Sequence, residues 1–310
     1  MILLYHGIVE GINPRDRWCV GQALPLSIFE RHIDTLARYR RIVPLEEYLR
    51  IRKRNRNVRD MVVLTFDDGL ATSFERVYPL LRDRSIPATF FISIGHLEHG
   101  PLLWFSYVNA LCFEGAYDRV EFESDSFPLL SLKQRMLARH SLVARAQATG
   151  NPCAFAEKLA ATHPLPPSIT AEYEGMTHEQ LTLFRNSEWL EPGAHTLSHP
   201  FLDQLARAEQ AKEIEESKQL LAKLTGRRIR YFAYPNGDYN RDTLSLVKEA
   251  DFEAGLATRP RNLENDDLYE LERVGIYSPS LLKFWLKTRI VPLARGFIGS
   301  RSLDSPSVNR

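Results

Sequence analysis

The β-branched and apolar run Met61-Val62-Val63-Leu64-Thr65-Phe66 ends abruptly in Asp67-Asp68-Gly69, and a second such run, Ala88-Thr89-Phe90-Phe91-Ile92-Ser93-Ile94, follows closely. Between them Phe74, Val77, Tyr78 and Leu81 recur at helical spacing and Pro87 closes the segment. Strand, helix, strand is a βαβ unit, and its two strands must lie parallel in a sheet covered by helices. That single unit excludes sandwiches, meanders and helical bundles as the main architecture.

The alternation continues elsewhere. Ile2 to Tyr5 reads as a strand and Leu26 to Tyr39 as a helix carrying Ile28, His32, Leu36 and Tyr39 on related faces. Later, Ala211, Ile214, Leu221 and Leu224 make an amphipathic helix that Gly226 can terminate, and a strand follows at Ile229 to Tyr234. Thr243 to Ala250 is then a helix and Phe252 to Thr258 a strand. From about Leu97 to Thr177 the rhythm changes to helix-favouring, charged sequence with aromatic patches and the proline cluster Pro164 to Pro167. This predicts residues 1–96 and 178–295 as two parts of one α/β unit, 97–177 as a helical insertion and 296–310 as a mobile tail. Trp104, Phe105 and Tyr107 in the insertion serve either as a wall of a cleft or as the insertion's own core.

A length of 310 residues suits either two domains or one α/β barrel with an insertion. Forty basic and 39 acidic residues leave a formal charge of +1, which removes the general attraction that non-specific nucleic-acid binding relies on. Cys19, Cys112 and Cys153 are too few and too scattered for a disulfide scaffold or a CxxC metal site. The start, Met1 to Gly7, has no basic region or long apolar stretch of the kind an export signal needs, so the expected location is cytoplasmic. No run reaches the roughly 18 apolar residues of a transmembrane segment. Phe284 to Ile298 mixes apolar and basic residues, which fits a packing helix or a peripheral membrane contact.

Three sites carry candidate chemistry. Asp67 and Asp68 stand where a buried strand meets a glycine turn, the strand end at which α/β barrels place their active sites. Two adjacent carboxylates repel, a cost offset if a cation takes one and leaves the other to move protons; a helix N-cap is the competing account. His195 and His199, in Gly193-Ala194-His195-Thr196-Leu197-Ser198-His199-Pro200, are two imidazoles within reach of one metal. With Asp68 they would make a two-histidine, one-carboxylate set with room for a water. Phe232-Ala233-Tyr234-Pro235-Asn236-Gly237 ends another strand in a Pro/Gly turn.

Together these segments resemble the polysaccharide deacetylases that share the NodB homology domain, carbohydrate esterase family 4. Thr65 to Gly69 is similar to the first motif of that family, His195 to Pro200 to the second, and Tyr234 to Gly237 to a variant of the third, in the family's order. The likeness extends through Tyr5-His6-Gly7, Pro87 to Phe91, Glu213 to Gly226 and Glu272-Arg273-Val274, and so covers most of residues 1–280. It implies a distorted (β/α)7 barrel and a metal-dependent deacetylase hydrolysing the N-acetyl amide of an amino sugar in a polysaccharide, glycan or lipid-linked glycan precursor. It also implies Asp67 as general base, Asp68, His195 and His199 as ligands of Zn²⁺ or another divalent transition metal, and Tyr234, Pro235 and Asn236 as substrate and oxyanion contacts.

The match breaks in two places. Ala233 stands where the family often has an arginine that steadies the base, and Arg273 is the candidate substitute. The family's C-terminal Leu-x-His has no counterpart, because His199 is the last histidine. The proton for the leaving amine must then come from Asp67, the preferred source, or from His6; otherwise the chain is a catalytically weak carbohydrate-binding protein on the same barrel. Glycoside hydrolysis by the carboxylate pair is disfavoured, since adjacent residues on one strand end cannot flank a glycosidic bond.

Overall fold

In a computed structural model, which describes residues 1–11, 23–54, 56–99, 102–258, 260 and 267–298, seven strands close on one another in strict chain order. They are β1 (Ile2–Tyr5), β2 (Met61–Phe66), β3 (Ala88–Ile92), β4 (Leu190–Ala194), β5 (Tyr231–Ala233), β6 (Ala254–Ala257) and β7 (Leu271–Gly275). All seven pairings are parallel, and the ring shuts where β1 pairs with β2 on one side and β7 on the other. The expected (β/α)7 barrel is the observed one. Its weakest seam is β4–β5, joined through the single register pair Phe232 and Ala194.

Strands in such a barrel are buried on both faces, which is why Met61–Phe66 reads as an unbroken apolar run. Alternation divides their side chains between two cores. Ile2, Met61, Val63, Phe91, Tyr231, Ala233, Leu256 and Leu271 share one cluster, while Leu3, Tyr5, Val62, Leu64, Phe66, Phe90 and Phe232 belong to the other, with the helices. The helices that cover the barrel include α1 (Leu26–Tyr39), α2 (Leu45–Arg52) and α3 (Ala71–Asp83).

The segment between β3 and β4 has a core of its own. Every residue of α4 (Trp104–Phe113) is buried, and α4 packs against α5 (Leu132–Ala148) and α6 (Pro152–Thr162) around Leu111, Leu142, Phe155 and Leu159. Ser131 caps α5 through a reciprocal pair of bonds with Gln134, and Asn151 caps α6. The unit is not wholly helical, contrary to expectation. Arg119–Phe122 and Asp125–Pro128 form an antiparallel hairpin, with Glu123 in the left-handed conformation at the turn. Alternating exposure along Arg119-Val120-Glu121 was the available signal, but the turn lacks the glycine or Asn-Gly that usually announces a hairpin.

Two long helices follow, α7 (Arg207–Thr225), ended by Gly226 in the left-handed conformation, and α8 (Arg241–Glu249). The last helix, α9 (Leu281–Ile298), runs past residue 296, so the expected tail boundary falls inside it; residues 299–310 lie outside the described residues. Phe284 is buried with its ring stacked on His32 at 3.7 Å, whereas Leu282, Trp285 and Leu286 are exposed. Among the described residues no helix is long and apolar enough to cross a membrane. Cys112 is buried and Cys153 half-buried, both as free thiols; Cys19 lies outside the described residues.

Candidate active site

The same period-two alternation that fills the barrel also arms its mouth. Continuing the inward series Met61, Val63, Thr65 reaches Asp67; Gly193 leads to His195, Leu271 to Arg273, and Ile2 and Leu4 to His6. These side chains line one cavity of about 770 Å³ at the C-terminal end of the strands. Asp67 and Asp68 are not helix caps. The first residue of α3 is Ala71, its N-cap is Leu70, and no side chain caps it.

Asp67 is 4% exposed and is held by Arg273 in a two-pronged ion pair, Nη1 to Oδ1 at 2.5 Å and Nη2 to Oδ2 at 2.7 Å. Burial alone would raise this carboxyl, but the charge and hydrogen bonds of Arg273 outweigh it and hold the group below its ordinary range. Arg273 therefore occupies the role left open by Ala233. The carbonyl of Ala233 has its own use, accepting a bond from His195 Nδ1 at 2.8 Å.

That bond fixes the His195 tautomer and turns Nε2 toward the mouth, 3.7 Å from Asp68 Oδ1. His199 Nε2 is 3.5 Å from the same oxygen. Asp68, His195 and His199 are all buried, and their ligand atoms lie within 4.8 Å of one another. Desolvation lowers the pKa of both rings, most of all His199, so both are neutral imidazoles at pH 7, the form that donates to a metal. His199 Nδ1 is buried with no hydrogen-bond partner among the described residues. Two buried neutral rings and a carboxylate whose ligand atoms converge this closely fit a bound divalent ion.

Left-handed backbone is concentrated here. Asp68 (φ 73°), Thr196 (67°), His199 (56°) and Asn236 (57°) are all non-glycine residues, one or more on each motif loop. Each such residue costs on the order of 1 kcal/mol or more, and it persists because neighbouring contacts hold it. One of those neighbours escaped the sequence reading. Glu213 of α7 accepts bonds from the Leu197 N–H (2.8 Å), the Ser198 N–H (2.9 Å) and the Ser198 hydroxyl (2.6 Å), pinning the loop between the two histidines. The signal for it was a carboxylate beside the apolar stripe of an amphipathic helix.

Tyr234 and Asn236 of the third motif line the same cavity. Tyr234 donates its hydroxyl to Tyr269 O at 2.8 Å and its N–H to Leu256 O at 3.2 Å, with its ring stacked on Tyr239, so its polar groups are taken up by the fold. Pro235 has no N–H to offer. The N–H groups of Gly237 and Asp238 close the turn onto Tyr234 and Pro235, which leaves Asn236 as the residue of this segment whose N–H no described residue takes up. His6 lines the same cavity with its Nδ1 buried and without a partner among the described residues, and burial lowers its pKa.

Both readings of the insertion's aromatics hold, for different residues. Tyr107 is buried in the insertion core with its hydroxyl on His163 O (2.6 Å). Trp104 and Phe105 line the cavity: Trp104 Nε1 donates to Ser198 O at 2.6 Å, and Phe105 lies against the His199 ring at 4.2 Å.

The family model described as Polysaccharide deacetylase matches residues 54–128 and 159–255, more than half of the chain. A poly-β-1,6-N-acetyl-D-glucosamine N-deacetylase of Staphylococcus aureus (strain MRSA252) is 23% identical over 267 residues, spanning 84% of this chain and 70% of that protein. Among solved structures, IcaB from Ammonifex degensii superposes with a TM-score of 0.59 at 17% identity, covering 93% of this chain and 94% of that one. The Streptococcus pyogenes deacetylase PplD, solved with acetate, gives 0.55 at 21%, covering 93% and 96%. At these identities the solved structures establish the shared barrel.

Proposed function

Because the chain belongs to the polysaccharide deacetylase family, hydrolases of non-peptide carbon–nitrogen bonds, we propose that it removes the acetyl group from an N-acetylated amino sugar of a polysaccharide or glycan precursor. The observation that carries this reading is one juxtaposition: a three-ligand set of Asp68, His195 and His199 beside a carboxylate, Asp67, that is clamped and kept ionised by Arg273. The similarity to an N-acetylglucosamine polymer deacetylase supports the choice of substrate chemistry.

Asp68, His195 and His199 would hold a divalent ion, zinc in this proposal, whose Lewis acidity would acidify a water and polarise the acetyl carbonyl. The remaining work falls to the chain's own groups. Asp67 lies within 3.8 Å of His195 Nε2, close enough to take a proton from a water at the ligand set, and its pairing with Arg273 aims it there. The N–H of Asn236, a residue of the cavity lining, is the donor this reading assigns to the charge that develops on the carbonyl oxygen. The leaving amine needs a proton, and Asp67 is suited to return it: a carboxyl whose pKa is held low surrenders its proton readily. His6, with an unused ring nitrogen in the same cavity, is the second carrier on offer. Its role is settled by His6→Asn, where a loss of two orders of magnitude in kcat assigns the donation to His6 and a loss below about tenfold leaves it with Asp67.

The test is acetate release from N-acetylglucosamine oligomers by the metal-loaded protein, by the protein stripped with chelator, and after zinc is restored, with metal content measured in parallel. Release that disappears and returns with zinc supports the reading. Release indifferent to chelation removes the ion from the chemistry, and absence of release at full metal loading removes the deacetylase assignment.

A further inference from the structure

The helix α5 supplies one wall of the catalytic cavity through Arg139, His140, Val143, Ala144 and Gln147, all on one side of the helix at 100° per residue. Leu132 and Met136 continue that stripe toward the N-terminus and are 53% and 50% exposed, with Leu130, just ahead of the helix, at 72%. By helical rise, Leu132 lies about 10 Å beyond Arg139 on the side away from Gln147. The exposed Leu132 and Met136 side chains lie on the same helix face as the cavity wall, on its N-terminal side.

Arg139 stands where the polar cavity gives way to that strip. Its Nε donates to Asn109 Oδ1, which fixes the guanidinium, and it makes no ion pair among the described residues. Arg76, Arg227 and Arg230 each hold a carboxylate, whereas Arg139, like Arg135 beside it on the helix, is bonded to a neutral oxygen. The acids of the cavity do not neutralise it. Asp67 belongs to Arg273, Asp68 stands with the two histidines, and Asp203 and Asp238 are carried on barrel loops with no ion pair to Arg139. Desolvation already works against the charge on Arg139, which a bound anion would relieve. The spacing is suitable too. Phe105, whose ring touches His199, and Asn109, which anchors Arg139, are one turn apart on α4, about 6 Å and on the scale of a single sugar residue.

We infer that the substrate is an N-acetylated amino sugar joined through a phosphate to an apolar lipid, with the phosphate on Arg139 and the start of the lipid along Met136, Leu132 and Leu130. This rests on the deacetylase reading and narrows it. The reaction is unaltered: water replaces nitrogen on the acetyl carbon, acetate and a free amine leave, and the phosphate ester stays intact. Arg139 is a guanidinium able to grip phosphate oxygens in pairs, and the exposed leucines and methionine would otherwise face water.

The experiment compares kcat/KM for four substrates bearing the same N-acetylglucosamine: a neutral oligomer, the sugar 1-phosphate, a neutral alkyl glycoside in detergent micelles, and a polyprenyl-phosphate-linked sugar in the same micelles. The lipid phosphate is expected to exceed each of the others by about tenfold or more. Arg139→Gln should shrink its advantage over the alkyl glycoside by about tenfold, Arg139→Lys should restore part of it, and Leu132→Glu with Met136→Glu should shrink its advantage over the sugar 1-phosphate. Independently of turnover, polyprenyl phosphate alone should bind the wild-type protein more tightly than the matching alcohol, a preference that Arg139→Gln removes. Equal use of the neutral oligomer and the lipid phosphate, or an equal fall on alkyl glycoside and lipid phosphate in Arg139→Gln, overturns the proposal. A sugar 1-phosphate as good as the lipid form overturns its lipid half. Absence of acetate from all four substrates with metal bound is a different failure, that of the deacetylase reading itself.

Discussion

The barrel mouth and the insertion are built on opposite plans. At the mouth, polar side chains are buried and interlocked, and the loops carry left-handed non-glycine residues held by bonds such as those of Glu213. The insertion is built around an apolar core, and its edge with Trp104, Phe105 and Arg139 turns toward the chemistry. The difference separates two tasks. Fixed geometry comes from strand ends anchored in the barrel, while the wall beside them is carried by a unit with an apolar core of its own.

The sharpest way to break this division is to remove mouth residues singly. Asp67→Asn should lower kcat by up to about 10⁴-fold while zinc stoichiometry, read by atomic absorption, stays at the wild-type value. His195→Ala should lose both activity and zinc. Turnover within a few fold of wild type in Asp67→Asn would mean that the mouth's clamped carboxylate is a structural feature and not the base.

Arg273→Met attacks the clamp from the other side. It leaves the Asp67 carboxylate buried without its partner, a change that costs about 3–5 kcal/mol and is read as a drop in the urea midpoint at pH 7. The pH dependence has a definite sign. In the wild type the folded pKa of Asp67 is depressed, so its stabilising contribution is present above the unfolded value of about 4 and is lost as pH falls through the folded value. Without Arg273, burial raises that pKa, so the acidic limb of the kcat/KM profile should move to higher pH. An unmoved limb would detach the base from Arg273.

Much of this mouth could be read from residues alone, because its signals are local. The Asp-Asp-Gly step after an apolar strand and the two histidines four apart sit within single loops, and period-two alternation carries them inward. The span of β1 and of α1 was legible for the same reason. The partnership of Arg273 with Asp67 was only a candidate, since 206 residues separate the two and nothing short of barrel closure, with β1 between β2 and β7, sets them side by side. The strand expected over Ile229 to Tyr234 shrinks to Tyr231–Ala233 because Arg230 is drawn off to Glu46 and Glu191 and Pro235 begins the turn. Arg139 gave no local signal at all: its place in the cavity follows from how α5 packs on α4 through Asn109.

If the insertion has its own core, damage there should stay there. Leu142 is fully buried among insertion residues, so Leu142→Ala should cost about 2–5 kcal/mol of that unit's stability. Limited proteolysis should then cut first between residues 102 and 165, while zinc binding at the mouth persists. Simultaneous loss of zinc would show that the two regions unfold as one.

The smallest expected effect lies at the seam between them. Trp104→Phe keeps a ring at the wall but removes the Nε1 donor, leaving the Ser198 carbonyl without that bond, a cost of about 1–3 kcal/mol. Ser198 stands in the loop between the two histidines, which Glu213 holds independently from the barrel side. If Glu213 suffices, zinc affinity should change by less than about threefold, although the melting temperature drops by a few degrees. A zinc affinity weakened in step with stability would place part of the metal loop's rigidity in the insertion, and the line between the fixed mouth and the insertion's wall would have to be drawn beyond Trp104.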